Sequence, residues 1–187
     1  MGLTPPDSPR LPVVHVQGPR IWTIGHSRHD LPRVLDLLSS QAIEVVADVR
    51  SQPFSRFSPQ FNRSRLRAGL EAAGIDYLSM GDELGGRPPE PFLYDARGKL
   101  RADLVARSAR FGAGLDRLTE VAVRHRVAVM CSEEDPQRCH RHLLVGRALA
   151  DLGWQVSHIR GNGVTEEGCP APHPPEETLF GPDVGAR

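Results

Sequence analysis

VAVMCSEEDPQRCHRHLLVGRALADLG, residues 127–153, holds the transition that decides the fold. Val127–Cys131 is an apolar run without polar alternation, the pattern of a strand covered on both faces. Asp135 is a good helix N-cap and Pro136 suits the first helical position. The helix they open is expected to run to about Leu152 and to stop at Gly153. A buried strand leading into a helix points to parallel-sheet architecture.

The same alternation continues on both sides. Val156–Ile159 reads as the last strand. Upstream, Arg20–Gly25 (RIWTIG) reads as the first strand, and Leu31, Val34, Leu35 and Leu38 recur at helical spacing behind the N-cap Asp30. Val45–Val49 is a short apolar strand that carries Asp48. Leu66, Leu70 and Ala73 mark a second helix closed by Gly74, and Ile75–Leu78 a third strand. Leu104, Val105, Leu115, Leu118, Val121 and Ala122 place a long helix before residue 127, with a break expected near Gly112 and Gly114. The expectation is one Rossmann-like, three-layer α/β domain with a mostly parallel sheet and right-handed crossovers. It spans residues 20–160. A flexible Pro-rich arm (1–19) and a loose tail (161–187) flank it.

The bulk numbers agree with one soluble domain. The chain has 187 residues, 39% of them hydrophobic and 25% charged, and its formal net charge is zero. That balance gives the whole molecule no pull toward nucleic acid or membrane, so any such bias is local. No apolar run is long enough to span a bilayer. Lys99 is the only lysine among 23 basic residues. Arginine-rich codon usage explains such a bias, so an individual arginine counts only by its position. Three cysteines, Cys131, Cys139 and Cys169, and an N-terminus with Pro5, Pro6, Pro9 and Pro12 but no signal-peptide core, point to a reducing cytoplasm.

In parallel sheets ligands bind beyond the carboxyl ends of the strands. That rule selects 25–28, 48–56, 80–87 and 131–141, where the unusual polar residues fall. In Cys131–Arg141, a strand end meets a helix start, whose free N–H groups attract anions. The helix dipole with Arg138, Arg141 and a protonated His140 would lower a nearby thiol pKa, making Cys139 a candidate nucleophile. A small buried cysteine without chemistry is the plain alternative. Asp48 and Glu133 are candidates for acid–base work in one crevice. Asp48 paired with Arg50, and Glu133 solvated in a turn, are their plain alternatives. His26 is a candidate proton shuttle beside Ser27, and Gly85 and Gly86 let backbone approach a ligand. Residues 50–67 (RSQPFSRFSPQFNRSRLR) carry five arginines, three phenylalanines and no acid. Arg50, Ser55 and Arg56 are candidate ligand contacts there, and the basic–aromatic interleaving also suits nucleic acid.

The chain resembles a known family on an ordered set of residues: Thr23-Ile24-Gly25-His26-Ser27, Asp48-Val49-Arg50 with Pro53, Ser55-Arg56 and Phe61, Gly74-Ile75 with Tyr77, Leu84-Gly85-Gly86, and Met130-Cys131 with Glu133 and Cys139-His140-Arg141. These are similar to the domain of unknown function 488 family over about residues 20–160. Ser132 stands where alanine is common in that pattern. The resemblance implies a compact α/β domain and groups these residues; it implies no reaction.

Three readings follow. The first is an enzyme of hydrolase or transferase type on a phosphorylated or nucleotide-like ligand. Glu133, Asp48, Cys139 and His26 would do the chemistry, and Ser27, Arg50, Ser55, Arg56, Gly85, Gly86, Cys131, His140 and Arg141 would hold the small anion. The second, weaker at zero net charge, is a nucleic-acid module using 50–67. The third is a thiol redox or metal protein using Cys131 and Cys139. No metal is assigned, because the eight-residue step between these cysteines matches no metal-knuckle spacing. Cys169 and His173 are two ligands without a site. No dinucleotide fingerprint is present, and neither a cofactor nor an oligomeric state is read.

Overall fold

The computed structural model describes residues 18–168. A six-stranded sheet in the order β3-β2-β4-β1-β5-β6 forms its middle layer. The strands are β1 (Arg20–Gly25), β2 (Val45–Asp48), β3 (Asp76–Ser79), β4 (Val127–Cys131), β5 (Gln155–Ile159) and β6 (Thr165–Glu167). β1 to β5 pair in parallel, and β6 closes one edge antiparallel to β5.

Residue alternation along the strands builds two apolar layers. In β4, Val127, Val129 and Cys131 point to one face, with Ile21, Ala47 and Val156 from neighbouring strands. That layer is covered by α5 (Ala109–Ala122) through Phe111, Leu115 and Leu118, and by α6 (Arg147–Asp151) through Leu149. Ala128 and Met130 point to the other face with Trp22, Ile24 and Val46. There α1 (Leu31–Ser40) and α2 (Arg63–Ala72) pack through Val34, Leu38, Leu66 and Leu70. Leftward crossovers place helices on one face and rightward crossovers on the other, as right-handed connections demand. The expected three-layer α/β domain is therefore present. Among the described residues no helix is long and apolar enough to cross a membrane.

Local signals act as expected at several ends. The Asp30 side chain accepts from Arg33 N at 2.9 Å and caps α1. Gly74 follows α2 at φ +75°, a left-handed position that glycine takes without strain.

Three expectations need correction. The long helix breaks before α5, not at Gly112 or Gly114. A short helix, α4 (Ala102–Ala106), ends at Arg107, and Ser108 then caps α5 by accepting from Phe111 N. Gly114 instead lets α5 approach α3 (Gly81–Leu84): a Cβ there would lie 2.7 Å from Glu83 Cβ. Second, Asp135 and Pro136 open only a 3₁₀ turn, Pro136–Arg138, and Cys139 then returns to extended backbone. The helix proper starts at His140 and runs through a π-helical turn, Arg141–Gly146, into α6. Third, Thr165–Glu167 lies inside the stretch read as tail, yet it forms β6 after a turn at Gly163, φ +92°. Most of the Pro-rich arm, together with Cys169 and His173, lies outside the described residues.

Candidate functional site

The carboxyl ends of β2 and β4 open into a pocket of about 340 Å³. It is lined by residues of three segments: Arg50, Ser51, Gln52 and Phe54 after β2, Gly86 and Arg87 after α3, and Cys131, Ser132, Glu133, Arg138, Cys139 and His140 at and after the end of β4. The sheet-end rule located this crevice, but several residues expected to act in it do not line it.

Cys131 ends β4, and Cys139 enters from the turn before the helix. Both thiols are free and buried, and with His140 their ligand atoms all lie within 4.8 Å of one another. Cys139 donates its S–H to Cys131, which holds the Cys131 thiol down at about 7. The Ser132 and Glu133 backbone N–H groups and the nearby Arg141 charge add to this, against the cost of burial. The same hydrogen bond, with burial, pushes Cys139 up to about 12. The two sulfurs therefore titrate as a pair, whose first proton leaves more readily than that of an ordinary thiol.

His140 Nε2 lies 3.1 Å from the Val49 carbonyl. A carbonyl only accepts, so Nε2 carries the proton. In the neutral ring, Nδ1 then presents its lone pair to Cys131 Sγ at 3.7 Å and Cys139 Sγ at 4.0 Å. Gly86 backs this ring, and a Cβ there would lie 2.8 Å from His140 Cγ.

Asp48 is 1% exposed and lines no part of the pocket. Its carboxylate accepts from Arg50 Nε at 2.8 Å, Arg50 Nη2 at 2.6 Å, Arg50 N at 3.1 Å and Tyr77 OH at 2.8 Å. Burial and the Asp48 charge push the Tyr77 phenol up to about 12, so it stays a donor. Arg50 also donates to the Phe61 carbonyl at 2.9 Å. This pair ties the loop after β2 to the sheet and leaves Asp48 no lone pair facing the cavity.

His26 is equally committed. It stacks on Phe61 with ring centroids 4.2 Å apart. Nδ1 lies 3.0 Å from the Ser27 carbonyl and Nε2 lies 3.2 Å from Arg50 Nη1. The carbonyl requires a proton on Nδ1 and the guanidinium requires a lone pair on Nε2, so the ring is neutral. Burial and the Arg50 charge bring its pKa down to about 4. Ser27 continues the β1–β4 ladder through its N–H to the Ser132 carbonyl at 2.8 Å.

Arg141 is fully buried. Among the described residues it has no carboxylate partner. It donates to the Glu133 carbonyl, to the Glu134 carbonyl at 2.6 Å, and through Nε to Thr23 Oγ1 at 3.4 Å. It clamps the turn after β4 from below and does not line the cavity in which it was expected to hold an anion. Arg160 clamps the same turn from outside, gripping Glu134 at 2.8 and 3.0 Å. Arg141→Lys is expected to lower stability by about 2 kcal/mol, because an ammonium cannot fork two carbonyls. The urea midpoint reads this directly, and an unchanged midpoint would remove the clamp.

Of the remaining candidates, Glu133 is exposed and lines the pocket. Its carbonyl passes so close to Gly25 that a Cβ on residue 25 would clash with it. Gly85 packs on Ser51 and the Gly81 carbonyl. Ser55 organises its own loop, its Oγ accepting from Phe57 N at 3.1 Å and Ser58 N at 3.2 Å. Arg56 is exposed outside the pocket lining, beside Phe57, which is 91% exposed. The 50–67 segment therefore divides: Arg50 and Phe61 are internal struts, while Phe54, Arg56 and Phe57 face solvent.

Ser51, Arg87 and Arg138 fall in the segments that the sheet-end rule selects, but sequence reasoning named none of them as a ligand contact. Arg87 and Arg138 are exposed, and no ion pair among the described residues engages either. Ser51 Oγ accepts from Arg87 N at 2.9 Å, which ties two walls together. The signal available for these arginines was position alone, adjacent to Gly86 and Cys139.

Fold and site together define a doubly wound α/β protein with a thiol–imidazole cluster in the crevice at its strand ends. The family model described as "Domain of unknown function DUF488" matches residues 30–148, and the chain belongs to that family. No curated protein and no solved structure matches it.

Proposed function

We propose that the protein is an enzyme that holds a small anionic ligand, phosphorylated or nucleotide-like in class, between Arg87 and Arg138 and acts on it with Cys131. The observation that carries this reading is the placement of Cys131 in a pocket whose two exposed arginines have no carboxylate partner among the described residues. At about 340 Å³ the pocket suits a small ligand. Arginine forks match phosphoryl oxygens. The chemistry is group transfer of hydrolase or transferase type. Cys131 Sγ attacks the electrophilic atom, the leaving group departs with its electron pair, and water or an acceptor then cleaves the new bond to sulfur and restores the thiol.

The test is a thermal-shift panel of inorganic phosphate, nucleotides and sugar phosphates. The Arg87→Ala/Arg138→Ala double variant runs beside the unaltered chain. A ligand at 100 times its dissociation constant stabilises by about 2.7 kcal/mol. One ligand class is expected to give that shift and to lose it in the double variant. A shift that survives the double variant, or a panel with none, sinks the reading. Arg141 is unsuitable for this purpose, because its removal loosens the turn itself.

A further inference from the structure

We propose that Cys131 Sγ, Cys139 Sγ and His140 Nδ1 form a binding site for one zinc ion, and that filling this site masks Cys131. The inference shares side chains with the thiol reading above but rests on their geometry alone. The three ligand atoms already lie within 4.8 Å of one another. The imidazole is set as metal-binding histidines usually are, with its far N–H fixed on a backbone carbonyl and its near nitrogen bare. Val49 supplies that carbonyl and Gly86 closes off the ring from behind, so little rearrangement is needed on binding.

The donor set selects the ion. Two thiolates and a neutral imidazole balance a divalent charge and suit a borderline-soft metal, which is zinc's preference. The cluster holds no oxygen ligand, which disfavours magnesium and calcium. All three residues line the same pocket, so the fourth position of a tetrahedral ion opens onto the cavity and takes water or a ligand anion. Zinc binding releases the thiol protons to solvent and forms two zinc–sulfur bonds and one zinc–nitrogen bond. The eight-residue step is no obstacle, because a strand end and the turn before a helix deliver the two sulfurs from different elements.

The experiment uses the full-length chain, freed of metal with EDTA and titrated with zinc chloride against a chromophoric zinc chelator. One zinc per chain is expected. Cys131→Ser, Cys139→Ser and His140→Gln should each weaken binding by more than about 100-fold, beyond the 10–100-fold typical of lost outer-sphere partners. Cys169→Ser should leave it unchanged. Circular dichroism checks that each variant folds, and a second measurement needs no variant: equimolar zinc should slow iodoacetamide labelling of Cys131 in the unaltered chain by at least about tenfold. No retained zinc, zinc binding indifferent to all three substitutions, or binding lost with Cys169→Ser overturns the proposal. Labelling in EDTA tests the thiol reading separately. An inert Cys131 with tight zinc binding ends that reading and leaves the zinc site standing, while a reactive Cys131 that retains no zinc does the reverse.

Discussion

Asp48→Ala is expected to lower the unfolding free energy by about 3–5 kcal/mol, the usual loss when one partner of a buried ion pair is removed. The carboxylate takes four hydrogen bonds, three from Arg50 and one from Tyr77. Its removal leaves the Arg50 guanidinium buried, with only the Phe61 carbonyl and a neutral His26 nitrogen as acceptors. Asp48→Asn keeps the volume and removes the charge, so it should recover little. Tyr77→Phe, which deletes one donor, should cost about 1 kcal/mol. Urea denaturation of the three variants measures the series. A loss below about 1 kcal/mol for Asp48→Ala would mean that Arg50 swings out to water, and that the pair does not hold the loop.

The second large effect is acid sensitivity. His26 and His158 are both held down to about 4 from an ordinary 6.5. Burial is the main cause for each. Arg50 adds to it at His26, and His142 and Arg141 add to it at His158. His158 Nδ1 lies 2.7 Å from Thr23 Oγ1, and its Nε2 lies 3.0 Å from His142 Nδ1. Both rings fold neutral. Above pH 6.5 the unfolded rings are neutral too, and the stability is fully present. As the pH falls from 6.5 toward 4 the unfolded chain binds protons that the fold refuses, so stability drops. The loss is about 1.4 kcal/mol per pH unit for each ring, approaching about 3 kcal/mol per ring at the lower limit. Urea midpoints between pH 7.5 and 4.5 should fall steeply, and His158→Asn should flatten the curve. A constant midpoint from pH 6.5 to 4.5 would contradict the burial of neutral rings.

The fold was legible because its core strands are short apolar runs bounded by good caps, as at Val127–Cys131 and Asp30. β6 was not, because Thr165–Glu167 is polar and half exposed and carries no alternation. Its place comes from the Gly163 turn and from Arg160 reaching Glu166 at 2.7 Å. The crevice was legible from strand ends alone, and it brought Cys131, Glu133, Cys139 and His140 together. The jobs of His26 and Arg141 were not legible, and for Asp48 the pairing with Arg50 stood only as the alternative to acid–base work. An ionisable side chain at a strand end turns toward the cavity or toward a buried partner, and residue type does not decide between them. Nor did the seven residues between the cysteines reveal that a 3₁₀ turn folds the second thiol back onto the first.

The π-helical turn at Arg141–Gly146 sets the angular phase of everything ahead of it. A π turn carries one residue more than an α turn over the same span. Each residue of an α-helix advances the chain by about 100°. A chain one residue shorter here would keep Leu149 seated on the sheet only by rotating the helix start by roughly that angle. His140 would leave the Val49 carbonyl and Arg141 would leave the turn it clamps. The widened turn is therefore a gear between two requirements, the packing of α6 and the aim of the cluster, that an ordinary helix could not meet at once.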